Sequence, residues 1–184
     1  MKLGKLLVVA SLLIGSAAFA QDGQEGEESR ECLRMRVIAN NAMAATNYKE
    51  ATEYFIKGEA ICNDFGKDNY ERLLSCVMNV VDATEGDQQL NYMDTLMWVY
   101  DRMEEKGVYD KVDDITRGYY YIQLREKDYI KADFYLKRGI EAQGMDMNEQ
   151  FITLYYFNLY TLWYIELDDA KKAAYTQRLI NEYF

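Results

Sequence analysis

The side chains that could do chemistry in this chain are three cysteines, a surplus of carboxylates and a dense set of aromatic rings. The cysteines are Cys32, Cys62 and Cys76. Histidine is absent. That removes the usual general base, the Ser-His and Cys-His nucleophile pairs and the commonest zinc ligand. No Cys-x-x-Cys is present, so a redox enzyme is unsupported. There is no G-x-x-x-x-G-K-[ST], no G-x-S-x-G and no D-x-D-x-D-G calcium loop. The expectation is a chain that is not an enzyme and uses no metal or cofactor.

The carboxylates read first as helix ends. Asp110, Asp113 and Asp114 fall at a helix start, where negative charge favours the dipole. Asp113 also precedes Arg117 by four residues, the spacing of a helical ion pair. Asp168-Asp169 suits the same capping role. Carboxylate abundance alone does not mark a glycosidase pair.

The aromatic residues are more suggestive. Tyr119-Tyr120-Tyr121 are consecutive, so on a helix they diverge by about 100° each and cannot share one core face. Between Phe151 and Ile165 two stripes run along one helix. Phe151, Tyr155, Leu159 and Leu162 form the stripe expected to face the core. Tyr156, Tyr160 and Trp163 form the other, expected to contribute to a partner-binding surface for peptide or sugar. The alternative is that neighbouring helices bury both.

Positioning these residues requires helices. Apolar residues recur at spacings of three and four, as in Leu33, Val37, Ile38 and Ala42, or Ala51, Phe55, Gly58 and Ile61. Proline, which breaks helix interiors, is absent, although about 5% is usual. Polar or glycine-bearing breaks divide the chain into eight expected helices: 29–45, 48–63, 68–84, 88–106, 109–125, 129–143, 148–165 and 169–183. Asn47, Asp87, Asp128 and Asp168 stand where helices should start. Cys32 lies about fifteen residues before the turn at Thr46-Asn47 and Cys62 about fifteen after it. Two antiparallel helices would bring them together, so they are expected to form a disulfide. The alternative is that all three cysteines are buried small apolar residues. Cys76 is expected to be buried and free.

The segment 47–58 returns, altered, as 128–139. Tyr48/Tyr129, Ala51/Ala132, Tyr54/Tyr135 and Gly58/Gly139 coincide, with Phe55 replaced by Leu136 and Lys57 by Arg138. The offset of 81 residues is about twice a two-helix repeat. An all-α fold of about four antiparallel helix pairs, stacked as a short right-handed solenoid over residues 29–184, is therefore expected. A plain helical bundle is the alternative.

Tyr48, Ala51, Phe55 and Gly58, and again Tyr129, Ala132, Leu136 and Gly139, resemble the second helix of a tetratricopeptide repeat. The resemblance implies that small residues let the paired helices approach closely. The first helices depart from the pattern: Met35, Ala39 and Ala42 stand where the family prefers Trp, Gly and Tyr. A narrower likeness is to exported tetratricopeptide-like proteins of Bacteroidota. Cys32, Asn47-Tyr48 and Cys62 reproduce the Cys, turn and second Cys those proteins often carry. This likeness bears on fold and compartment more than on activity.

Residues 1–20 read as a signal peptide. Lys2 and Lys5 precede an apolar run, Leu6 to Ile14, and Ala18-Phe19-Ala20 is a small-x-small cleavage site. An N-terminal membrane anchor is the alternative, although the run is short of the roughly twenty residues a span needs. Cleavage after Ala20 leaves 19 basic residues against 31 acidic ones, a net charge of −12. Such a chain repels phosphate backbones, so nucleic acid is not an expected partner. Residues 21–28 are acidic and glycine-rich and are expected to be a disordered leader. Export places the cysteines in an oxidising compartment, the periplasm or cell envelope.

Together these features lead to an interaction scaffold that binds a protein or peptide partner through its helical-repeat surface. The alternative is a ligand-binding protein for oligosaccharide or peptide that uses the aromatic platform. The last helix pair has no polar capping helix after it, so self-association through that pair is a further expectation.

Overall fold

The computed structural model describes residues 29–144 and 148–183. The expected signal peptide, residues 1–20, and acidic leader, residues 21–28, lie outside the described residues. Eight α-helices and no strands are present among the described residues: α1 (Arg30–Ala44), α2 (Tyr48–Ile61), α3 (Lys67–Asp82), α4 (Gly86–Glu105), α5 (Asp114–Gln123), α6 (Tyr129–Gln143), α7 (Glu149–Ile165) and α8 (Asp169–Tyr183). The fold is all-α.

Most helix starts follow from their caps. Asn47 accepts from the Glu50 amide, Asp128 from Lys131 at 2.9 Å and Asp168 from Lys171 at 2.9 Å. Each satisfies one of the donors that a helix start leaves orphaned. Asp87 does not act this way. α4 begins one residue earlier, at Gly86 (φ +60°), with no side-chain cap, and Asp87 reaches Arg125 at 3.0 Å instead. The expected helix 109–125 is shorter than its apolar pattern. Asp110 accepts from the Val112 amide at 3.1 Å and sets a 3-10 turn, Lys111–Asp113, ahead of α5.

Consecutive helices pack on one another, and α5 also touches α7. The pairs run antiparallel, as the contacts at their ends require. Cys32 at the start of α1 is joined by a disulfide to Cys62 just past α2, with Cα atoms 5.1 Å apart. Closing that loop is worth about 3–4 kcal/mol in the chain-entropy account. Cys76 is a buried free thiol.

At the α5–α6 crossing two glycines replace side chains. A Cβ on Gly118 would lie 2.7 Å from Leu136 Cγ and 3.1 Å from the Ala132 carbonyl oxygen. A Cβ on Gly139 would lie 2.8 Å from the Ile115 nitrogen. Gly58, aligned with Gly139 in sequence, has more room: its nearest neighbour is Phe65 Cε2 at 3.3 Å.

Ala51, Phe55, Ala132, Leu136, Gly58 and Gly139 are buried, while Tyr48 and Tyr129 are half-buried. Leu73, Val77, Leu96, Tyr100, Ile115 and Leu159 complete the centre of the core. The expected core face of α1 is revised. Leu33 and Val37 are exposed, and Ala39 and Ala42 face inward. Ile61, beyond the last buried turn of α2, is also exposed. α1 packs chiefly on α2, and Leu33 and Val37 lie on its exposed flank among the described residues.

Candidate functional site

α7 is held in register by Asn158. This fully buried side chain donates to the Tyr129 carbonyl at 3.0 Å, which ties α7 to the start of α6. That rotation turns Tyr155, Leu159 and Leu162 into the core and leaves Phe151 half-buried.

The second stripe does not behave as one surface. Tyr160 is 52% exposed. Tyr156 is half-buried and joins Tyr155, Ile140, Ile152, Lys137 and Glu141 around a pocket of about 420 Å³ between α6 and α7. Trp163 is turned against α8. Its indole Nε1 donates to Thr176 Oγ1 at 3.0 Å, and the Lys172 ammonium lies 4.8 Å from its ring centre. The aromatic rings that do face outward are Phe157, Tyr160 and Tyr164, at 60%, 52% and 69% exposure. Phe157 and Tyr164 were not assigned from the sequence. Their spacing of three and four from Tyr160 was the available signal, but the choice between adjacent stripes depends on which flank α8 covers.

Among the consecutive tyrosines, Tyr120 and Tyr121 are buried and Tyr119 is exposed. Tyr121 stacks on Tyr135 with ring centres 5.4 Å apart.

A charge cluster built around buried Arg117 and Asp114 at the α4–α5–α6 junction is not legible in the sequence. The expected Asp113–Arg117 pair does not form. Arg117 is 1% exposed and bonds to Glu104 at 2.9 Å and to Asp101, both on α4, while its guanidinium centres 4.0 Å over the Tyr135 ring. Arg117 is turned toward α4, whereas Asp113 lies outside α5, in the 3-10 turn Lys111–Asp113. Asp114, fully buried, accepts from Tyr109 at 2.6 Å and from Arg138 Nη2 at 2.7 Å. Burial works against the Arg117 charge, but Glu104 and the surrounding tyrosines hold it protonated. Burial alone would raise the Glu104 carboxyl; the bonds and charge of Arg117 and Arg138 bring it below its ordinary value. Burial, then the bond to Asp114, pushes the Tyr109 phenol well above its ordinary value. Two arginines, Arg117 and Arg138, thus hold three carboxylates, Asp101, Glu104 and Asp114, and the cluster fastens α4, α5 and α6 together.

Similar fastenings link alternate helices elsewhere. Arg102 on α4 donates to Glu59 on α2 at 2.8 Å, and Tyr70 on α3 donates to the same oxygen at 2.9 Å. Arg178 on α8 bonds to Asp133 on α6.

No known protein family, curated protein or solved structure matches this chain. No helix among the described residues is long and apolar enough to cross a membrane.

Proposed function

We propose that this protein is an exported interaction scaffold of the cell envelope, a short tetratricopeptide-like right-handed solenoid of about four helix pairs that binds a protein or peptide partner. The observation that carries the binding role is the outward aromatic row Phe157, Tyr160 and Tyr164 on α7, on the same helix that lines the pocket at Tyr155 and Tyr156. Aromatic side chains offer large rigid contact area at low entropic cost and dominate many interface energies.

The solenoid reading is supported by the fastenings between alternate helices. Each joins the second helix of one pair to the second helix of the next: Glu59 to Arg102, Glu104 to Arg138 and Asp133 to Arg178. In every case the earlier helix supplies the carboxylate and the later one the arginine. One such sense, repeated three times, fits a stack in which each pair meets only its neighbours. The disulfide is compatible with export.

The alternative, an oligosaccharide-binding protein, draws on Tyr160 and Trp163, whose rings sit 5.5 Å apart. The Lys172 side chain over Trp163 leaves less of a flat platform than stacking on a sugar needs.

The test is affinity capture from envelope extract with the parent and with a Phe157→Ala/Tyr160→Ala double variant. The variant should lose a partner that the parent retains, at an unchanged melting temperature. Equal capture by both would reject this surface, and retention of a glycan in place of a protein would favour the alternative.

A further inference from the structure

Two arginine–aspartate pairs reach from α4 to α5 and the turn after it, and a position between them lacks its arginine. Asp87, Asp94 and Asp101 follow one another at a spacing of seven, so they lie along one face of α4. Asp87 accepts from Arg125 at 3.0 Å, and Asp101 accepts from Arg117. Asp94, in the middle, instead shares a pocket of about 460 Å³ with Tyr121, one turn beyond Arg117 on α5. Tyr121 is buried against Tyr135. Asn91, Leu124, Glu126, Asp128 and Lys131 complete the lining. The local cations are already engaged. The Lys131 ammonium stands 3.8 Å from the Asp128 carboxylate, and Arg125 is held by Asp87. Lys127 is exposed and does not line the pocket. Even with Lys127 counted, Asp87, Asp94, Glu126 and Asp128 are four carboxylates against three cations. The remaining acids of α4, Asp101, Glu104 and Glu105, are taken up by Arg117, Arg138 and Arg102. Asp94 and Glu126 make no ion pair or side-chain hydrogen bond among the described residues. Residues 145–147 join the far end of α6, about 20 Å along that helix from Lys131, and residues 1–28 precede α1 in the first helix pair.

We propose that this pocket takes the guanidinium of a ligand, an arginine side chain or a free guanidine, with Asp94 as its carboxylate partner and Glu126 as a second negative charge. The flanking pairs show the chemistry, since both set an arginine against an aspartate of the same α4 face. A planar guanidinium can give a carboxylate two parallel bonds, while its apolar stem covers Leu124. No group of three or more acidic side chains among the described residues is placed to hold a metal ion, so the cation is an organic one. Salt should weaken the binding, because Asp94 and Glu126 are exposed. The site uses none of Phe157, Tyr160 or Tyr164, so it stands or falls separately from the proposed capture surface.

Titration with N-acetyl-arginine amide at low salt, followed by amide chemical shifts, tests it. The shifts should saturate and centre on Asn91, Asp94 and residues 124–131. N-acetyl-citrulline amide, the neutral isostere, should give no saturable shifts there. Asp94→Asn should weaken binding at least about fivefold. Its melting temperature should match the parent, because Asp94 is exposed and bonds to no other described residue. Glu53→Gln removes an exposed carboxylate from α2 and should leave binding unchanged, which separates a site from general attraction to an acidic chain. n-Propylguanidine carries the same head and stem without peptide groups. Weaker binding than the blocked arginine would assign the site to a chain-borne arginine, and equal or tighter binding to a free guanidine. Absence of saturable shifts, equal binding of the citrulline probe, or an equal loss in Glu53→Gln would each overturn the proposal.

Discussion

Arg178 on α8 grips Asp133 on α6 through two parallel bonds, Nη1 to Oδ2 at 2.9 Å and Nη2 to Oδ1 at 2.8 Å, and its Nη2 also donates to the Tyr155 hydroxyl at 2.7 Å. One guanidinium thus ties the last helix to two others. Paired planar bonds of this kind are stronger and more specific than a single contact. The carboxylate is 16% exposed and the arginine 26%, so solvent screens the pair only partly. Removing the carboxylate should take both paired bonds away from a half-buried cation.

Asp133→Ala is accordingly expected to cost about 1–3 kcal/mol and to loosen α8 first. Urea unfolding gives the magnitude, and amide exchange along residues 169–183 gives the location. An unchanged midpoint with unchanged exchange would reduce the contact to an ordinary surface pair, which contributes little.

The α5–α6 crossing allows a sharper comparison. A helical Gly→Ala change normally gains about 1 kcal/mol. At Gly118 and Gly139 the added carbon meets backbone that cannot move aside: Leu136 N at 3.0 Å in the first case, Ile115 N at 2.8 Å in the second. Overpacking should win, for a net loss of about 1–3 kcal/mol at each. Gly58→Ala meets only the edge of the Phe65 ring at 3.3 Å and should be tolerated far better. Ala132→Leu, at a fully buried position beside Gly118, belongs with the costly group. Thermal melts of the variants check the order, and a Gly58→Ala change as costly as Gly139→Ala would contradict it.

That comparison also marks what was legible in the sequence. Helix number and most helix ends were readable because Asn47, Asp128 and Asp168 announce starts by side-chain chemistry. The Cys32–Cys62 pairing followed from equal distances to one turn. The role of Gly118 was not readable, because nothing in α5 alone reveals which flank meets α6. The outer row of α7 was missed by one residue for the same kind of reason. Two adjacent aromatic stripes are equivalent until α8 covers Trp163 and leaves Phe157 bare. Leu33 and Val37 have core-like spacing but are exposed among the described residues, and periodicity cannot report which flank of a helix its neighbours cover. The Arg117 cluster depends on contacts thirteen to sixteen residues away, between helices, which local pairing rules do not reach.

The last prediction concerns alkaline pH. Burial pushes the Cys76 thiol from its ordinary 9.0 up to about 11. Burial, followed by the bond and charge of Glu59, pushes the Tyr70 phenol from 10.0 up to about 12. Both groups are neutral when protonated and both side chains are buried, so the folded state keeps protons that the unfolded chain releases. Between pH 9 and 11 the unfolded state binds fewer protons at Cys76, and stability must fall as pH rises. The Cys76 contribution is fully present below its unfolded value and is lost as pH climbs through the folded one; Tyr70 extends the loss toward pH 12. The urea midpoint should therefore decline steadily above about pH 9. Cys76→Ala should flatten the first part of that decline; above about pH 10 burial also raises Tyr100, Tyr109 and Tyr135, so Tyr70→Phe should lessen the last part without abolishing it. At about pH 8 the thiol should label slowly when folded and rapidly in denaturant. A midpoint independent of pH across this window, or fast labelling of the folded protein, would show that Cys76 is not held neutral by its burial in α3.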